Sequence, residues 1–97
     1  MSIDKGKKCR GSMEIMIDVL KTCVERRQKT HLMLMARLNY AQIVHYIHLL
    51  SYRGLIKQYM QEEIVYYVTT GKGRQLLCQY RQIMQMLGDH LDKKEMI

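Results

Sequence analysis

The chain has no proline, tryptophan or phenylalanine among its 97 residues. Without proline the strongest helix breaker is missing, which suits a mostly helical chain. Seven tyrosines and nine methionines must supply the bulky side chains instead. Cysteine is scarce. Cys9, Cys23 and Cys78 are odd in number and form no Cys-x-x-Cys pair. That spacing supports no zinc ribbon and no disulfide framework, so a reducing interior is expected. No apolar stretch near Met1 has the length of a secretory signal, so none is expected. No run of about 18 apolar residues exists to span a bilayer, and no membrane partner is expected.

Acidic charge is also missing where it would matter. From Arg26 to Gln61 there is no aspartate or glutamate, while Arg26, Arg27, Lys29, Arg37, Arg53 and Lys57 are basic. The whole chain carries a net charge of +7, with a pI near 9.5. Such a balance favours a polyanionic partner. Duplex DNA is the densest candidate, because neutralising its phosphates releases condensed counterions. A hydrophobic fraction of 47% and a charged fraction of 26% are ordinary for one globular domain.

Periodicity gives the order of elements. Residues 1–11 are polar and basic and read as a flexible arm. Ser12 is a cap candidate for a helix from Met13 to Arg27, with Met13, Met16, Ile17, Leu20, Cys23 and Val24 on one face. Thr30 is the next cap candidate, for a short helix from His31 to Arg37. That helix is apolar nearly all round, which predicts that it is sandwiched between other elements. Asn39 caps a third helix from Tyr40 to Arg53, whose Ile43, Tyr46, Ile47 and Leu50 form a buried face. Ala41, His45, His48 and Tyr52 lie opposite. Gly54 ends it in the left-handed conformation. Leu55 to Tyr59 and Ile64 to Val68 read as a β-hairpin around Met60-Gln61-Glu62-Glu63. Thr70 caps a last helix, from Lys72 to Lys93. Along it, Leu76, Tyr80, Ile83 and Leu87 recur at heptad-like spacing, and Leu77, Met84 and Leu91 form a second series. The stripe serves either a dimer seam or its own domain's core.

The fold class expected is mainly α with a little β: a winged helix-turn-helix over residues 12–71, a β-hairpin wing, and a long C-terminal helix over residues 72–97. A helix is about as wide as the major groove, so the exposed third helix can meet base edges. The chain resembles the small archaeal winged-helix regulators, related to the archaeal "10a" chromatin proteins and more distantly to MarR-type repressors. Lys29-Thr30, Leu38-Asn39-Tyr40-Ala41-Gln42-Ile43, Gly54-Leu55-Ile56 and Tyr67-Val68-Thr69-Thr70-Gly71-Lys72-Gly73 carry the resemblance. It implies a homodimer made through the last helix, commonly an antiparallel coiled coil, here through Leu76, Tyr80, Ile83, Met84, Leu87 and Leu91. Two departures stand out. Glu62 and Glu63 occupy a wing tip that is often basic, and Ala41 stands where a polar or basic residue is frequent.

The expected function is a dimeric, sequence-specific DNA-binding transcriptional regulator, cytoplasmic and nucleoid-associated. Arg26, Arg27, Lys29, Thr30, Asn39, Tyr40, Ala41, Gln42, His45, Arg53 and Lys57 are the expected DNA-binding residues. Gln42 is suited to an adenine edge. The alternatives are a weakly specific DNA-bridging chromatin protein and a winged-helix protein-interaction module. Gly71-Lys72-Gly73 lacks the context of a phosphate loop, and His45 with His48 has no third metal ligand nearby. No nucleophile–base set occurs, so neither an enzyme nor a cofactor is expected.

Overall fold

The computed structural model describes the backbone of residues 10–96 and the side-chain surroundings of residues 10–87. Most of the arm expected over residues 1–11, and the side chain of Leu91, lie outside that description. Four helices and one hairpin follow in order: α1 (Ser12–Thr22), α2 (Lys29–Ala36), α3 (Tyr40–Tyr52), β1 (Ile56–Gln61), β2 (Ile64–Thr69) and α4 (Gly71–Met96). This is the winged helix-turn-helix order read from the sequence. No helix among the described residues is long and apolar enough to cross a membrane.

α1 is the central helix, packed against α2, α3 and α4. Two of its faces are therefore covered, and Ile15, Ile17, Val19 and Leu20 are all buried. The single stripe expected from the sequence is too narrow, and its first member, Met13, is 53% exposed. The N-cap position is Gly11, not Ser12, and the Glu14 carboxylate accepts the Gly11 N–H at 3.1 Å. α1 also ends at Thr22 rather than Arg27. The reason is the sheet. Cys23 O accepts the Thr69 N–H at 2.9 Å, and Arg27 exchanges backbone hydrogen bonds with Tyr67. Arg27 must be extended to reach β2, so the chain turns out of the helix after Thr22 instead of continuing it to Arg27.

The same pairing moves the start of α2. Gln28 is its N-cap residue, in extended backbone, and Thr30 sits inside the first turn. Only Leu32 and Ala36 of α2 are buried, while Leu34 is 72% exposed. α1, α3 and β2 cover one side of this short helix, and the sandwich expected from its composition does not form.

α3 agrees closely with the sequence. Asn39 Oδ1 accepts the Gln42 N–H at 2.8 Å and Gln42 Oε1 accepts the Asn39 N–H at 2.9 Å, a complete capping box. Ile43, Tyr46, Ile47 and Leu50 are buried. Gly54, at φ 76°, closes the helix, with Leu55 N–H donating to Leu50 O and Gly54 N–H to Ser51 O. That pair of bonds is a Schellman ending.

The hairpin is longer and tighter than expected. Its register runs from Ile56 opposite Thr69 to Gln61 opposite Ile64, so only Glu62 and Glu63 form the turn. Both have left-handed backbone, at φ 53° and 66°. A two-residue turn of this type matches the strand twist but normally takes Asn-Gly. Left-handed backbone costs a non-glycine residue roughly 1–2 kcal/mol. Glu62→Asn with Glu63→Gly is therefore expected to stabilise the fold by about 1–2 kcal/mol. Thermal melts followed by circular dichroism measure this; an unchanged or lower midpoint would contradict the turn.

Candidate nucleic-acid interface

Cross-strand pairing and strand alternation divide the wing into two faces. Gln58, Met60, Val65 and Tyr67 share the face turned towards α2 and α3, while Lys57, Tyr59, Gln61 and Tyr66 share the other. On the inner side a groove of about 260 Å³ is lined by Lys29, Val44, His48, Ser51, Gln58 and Tyr67. A second, of about 310 Å³, continues along Gln28, Lys29, Thr30, Gln58 and Val65. Lys29 thus stands where α2 begins, where α3 passes and where the wing folds over. Its ammonium lies 5.3 Å from the centre of the Tyr40 ring.

Electrostatics at this junction favour an anion. Neither α2 nor α3 has an acidic residue in its first turn. Gln28 makes no side-chain cap hydrogen bond, so the leading N–H groups of α2 lack a capping side chain. Such N–H groups, with the positive end of the helix dipole, suit phosphate. Beyond them lies the exposed face of α3, with Tyr40 62% and Val44 39% exposed and Ala41, His45, His48 and Tyr52 also open. The His45 and Tyr46 rings pack edge to face, their centroids 4.9 Å apart.

The expected DNA-binding residues do not all gather here. Lys29, Thr30, Tyr40, Ala41 and His45 lie on or beside the α2–α3 surface. Asn39 and Gln42 are exposed, but their amides are committed to the cap of α3. Arg26 is on the outer side of the wing. Its guanidinium donates to Tyr59 Oη at 3.2 Å and to Gln61 Oε1 at 2.5 Å, and lies 4.9 Å from the centre of the Tyr66 ring. The Tyr59 hydrogen bond is the main influence that raises its pKa above the ordinary arginine range. Lys57 shares that outer face. Arg27 caps α1, donating from Nε to Thr22 O at 3.2 Å, and approaches Glu25 at 3.5 Å. Arg53 follows α3, where its carbonyl accepts from Lys72 Nζ at 2.8 Å.

Some participants were not legible as site residues. Val44 belongs to neither face read for the third helix, and Ser51 and Gln58 join the groove only once the hairpin lies beside α3. Arg10 reads as part of a loose arm. Instead it pairs with Asp18 at 2.6 Å and donates to the carbonyls of Ala36 and Arg37, closing the end of α2. Arg37 there has φ 56°, the left-handed ending usually given to glycine. Cys23 is fully buried, and burial pushes its thiol up to about 12 despite nearby Arg27, so it is no nucleophile at neutral pH.

The first half of the α4 stripe belongs to the domain. Leu77 is buried, and Leu76 and Tyr80 pack against the core. Met84 helps to line a groove of about 570 Å³ with Val24, Leu77 and Tyr80, rimmed by Lys21 and Arg81. Further along, Ile83, Met86 and Leu87 are 53%, 82% and 57% exposed.

Solved structures share this arrangement. Sso10a-2, a DNA-binding protein from Sulfolobus solfataricus, is similar at a TM-score of 0.74 and 27% identity, over 89% of this chain and 90% of that one. The transcriptional regulator BldR from the same organism gives a TM-score of 0.72 at 22% identity, over 80% of this chain and 59% of its own. A MarR family transcriptional regulator from Silicibacter pomeroyi gives 0.66 at 17% identity, over 90% of this chain and 62% of its own. At such identities the last two show the fold alone. No curated protein matches significantly. A family model described as winged helix-turn-helix matches residues 9–88. That match spans α1 to α4 and the hairpin between them, and the chain belongs to the winged helix-turn-helix family.

Proposed function

We propose that the protein is a dimeric transcriptional regulator that binds specific duplex DNA sequences, with α3 in the major groove, in a nucleoid-associated cytoplasmic setting. The observation that carries this reading is the junction at Lys29. An uncapped helix start, a lysine and the exposed face of α3 meet at one groove, with no acidic side chain from Arg26 to Gln61. Lys29, Thr30, Arg53 and Lys57 hold phosphates, which fixes register without reading sequence. Tyr40, Ala41 and His45 face the groove floor, and Gln42 reaches it if its cap opens. Residues 12–71 bind DNA, and residues 72–97 join two copies through the apolar surface from Ile83 onwards. Both partners are macromolecules, duplex DNA and a second copy of the chain, and no cofactor or reaction is invoked.

A second reading, a chromatin protein with little sequence preference, is favoured by the commitment of Gln42 to its cap and by the acidic wing tip. Selection from a random duplex library separates the two. The regulator yields a defined motif with two related half-sites; the chromatin protein yields none. On any duplex, Lys29→Ala is expected to weaken binding to a similar degree and to lower the salt slope by about one. Losses that differ sharply between sequences would remove Lys29 from the phosphate-binding set.

A further inference from the structure

α3 lacks a whole class of base-reading chemistry. Its sequence, from Tyr40 to Tyr52, contains no lysine, arginine, aspartate or glutamate. Guanine is read most often through two hydrogen bonds from arginine or lysine to O6 and N7, and cytosine through a carboxylate that accepts from N4. Neither reader is present on the helix. Gln42, the side chain suited to an adenine edge, has its amide oxygen held by the Asn39 N–H at 2.9 Å. What remains open at the start of the helix is mostly apolar or aromatic, namely Ala41, Val44 and Tyr40, the last two 39% and 62% exposed, with the His45 imidazole beside them.

An apolar side chain on a base edge has one good partner in the major groove, the C5-methyl of thymine. Val44 lines the groove beside Lys29, so a phosphate held by the lysine brings the neighbouring base edges towards the valine methyls. We infer that the α3 face selects A·T-rich duplex, reading thymine methyl groups through Val44 and Ala41 rather than hydrogen-bonding patterns. This rests on the proposed placement of α3 in the major groove and names the class of sequence that it takes.

The test is a set of fluorescence-anisotropy titrations at one salt concentration, using duplexes of equal length. One is alternating dA·dT, one is the same with uracil in place of thymine, one is alternating dG·dC, and one is that duplex with 5-methylcytosine. Uracil removes only the methyl group, and 5-methylcytosine places one in the same groove. The expected order is thymine tightest, with a loss of roughly fourfold for each contacted methyl on change to uracil. Methylation should recover part of the affinity lost on dG·dC. Val44→Ala should shrink the difference between thymine and uracil, and an undiminished difference would remove Val44 from the reading face. Equal affinity for thymine and uracil duplexes, or a preference for unmethylated dG·dC, overturns the inference while leaving DNA binding intact. Failure to bind any duplex overturns the proposed function and this inference with it.

Discussion

Replacing Ile83 and Leu87 together by aspartate is expected to leave a monomer that keeps its winged helix and loses most of its DNA affinity. Both side chains are more than half exposed on α4, and neither belongs to the core formed by Leu77, Ile56 and Leu20. Their loss should therefore leave the folded domain largely undisturbed. In a paired seam the same two positions would bury unpaired carboxylates, at a cost of several kcal/mol. Linked binding sites exceed a single site by about 10²- to 10⁴-fold, so the affinity loss should be of that order. α4 has 26 residues, about 39 Å at 1.5 Å per residue, so paired copies would hold two α3 helices well apart. Light scattering and gel-shift titration of the double variant measure both effects. A wild-type monomer, or a variant that stays dimeric with unchanged affinity, would assign the exposed stripe to something other than self-association.

Gly73→Ala should be among the most disruptive single changes. Gly73 lies in the first turn of α4, buried against the entry to β1. A methyl group there would drive into the backbone carbonyl of Leu55 and the methyl of Thr69. The Leu55 carbonyl cannot move cheaply, because it accepts the Thr70 N–H at 2.9 Å. Overpacking of this kind costs about 1–3 kcal/mol or more. For a domain of this size that lowers the melting midpoint by roughly 4–24 °C. Gly71→Ala is the matched control. No atom lies within 4 Å of the added group, so its midpoint should hold or rise slightly. Equal midpoints for the two variants would contradict the seating of α4 on the hairpin.

Gly73 also shows what the sequence does and does not reveal. Gly71-Lys72-Gly73 is legible as part of the resemblance and as a failed phosphate loop, but nothing local says that the second glycine meets the carbonyl of Leu55. Elements set by local chemistry are legible. Asn39 marks a helix start, Gly54 spells a left-handed ending, and the face of Ile43, Tyr46, Ile47 and Leu50 follows from helical period alone, whereas the part of Gln42 in the cap is seen only in the structure. Boundaries set by distant partners are not. α1 stops at Thr22 because Cys23 and Arg27 bond to β2, contacts that span 46 and 40 residues of sequence (69 − 23 and 67 − 27). The hairpin turn is legible as Met60-Gln61-Glu62-Glu63, but its two-residue form at Glu62 and Glu63 is not, because those residues are poor formers of that turn and are held there by the strand register.

The candidate site divides along the same line. Lys29, Thr30 and Tyr40 are legible because charge and helix starts mark them. Arg26 and Arg27 look equivalent to Lys29 in sequence, yet one clamps the tyrosines of the wing and the other caps α1. Charge along a chain shows how many cations there are, not which of them tertiary contacts engage. Val44 and Gln58 become site residues only once α3 and β1 are brought side by side.

The most direct test of DNA binding through this surface is the salt dependence of affinity for a duplex, measured by anisotropy from low to moderate ionic strength. If each copy neutralises three to five phosphates, a dimer engages roughly six to ten, and the log–log slope is expected near about −5 to −9. A slope shallower than about −2, or no measurable binding at low salt, would contradict it.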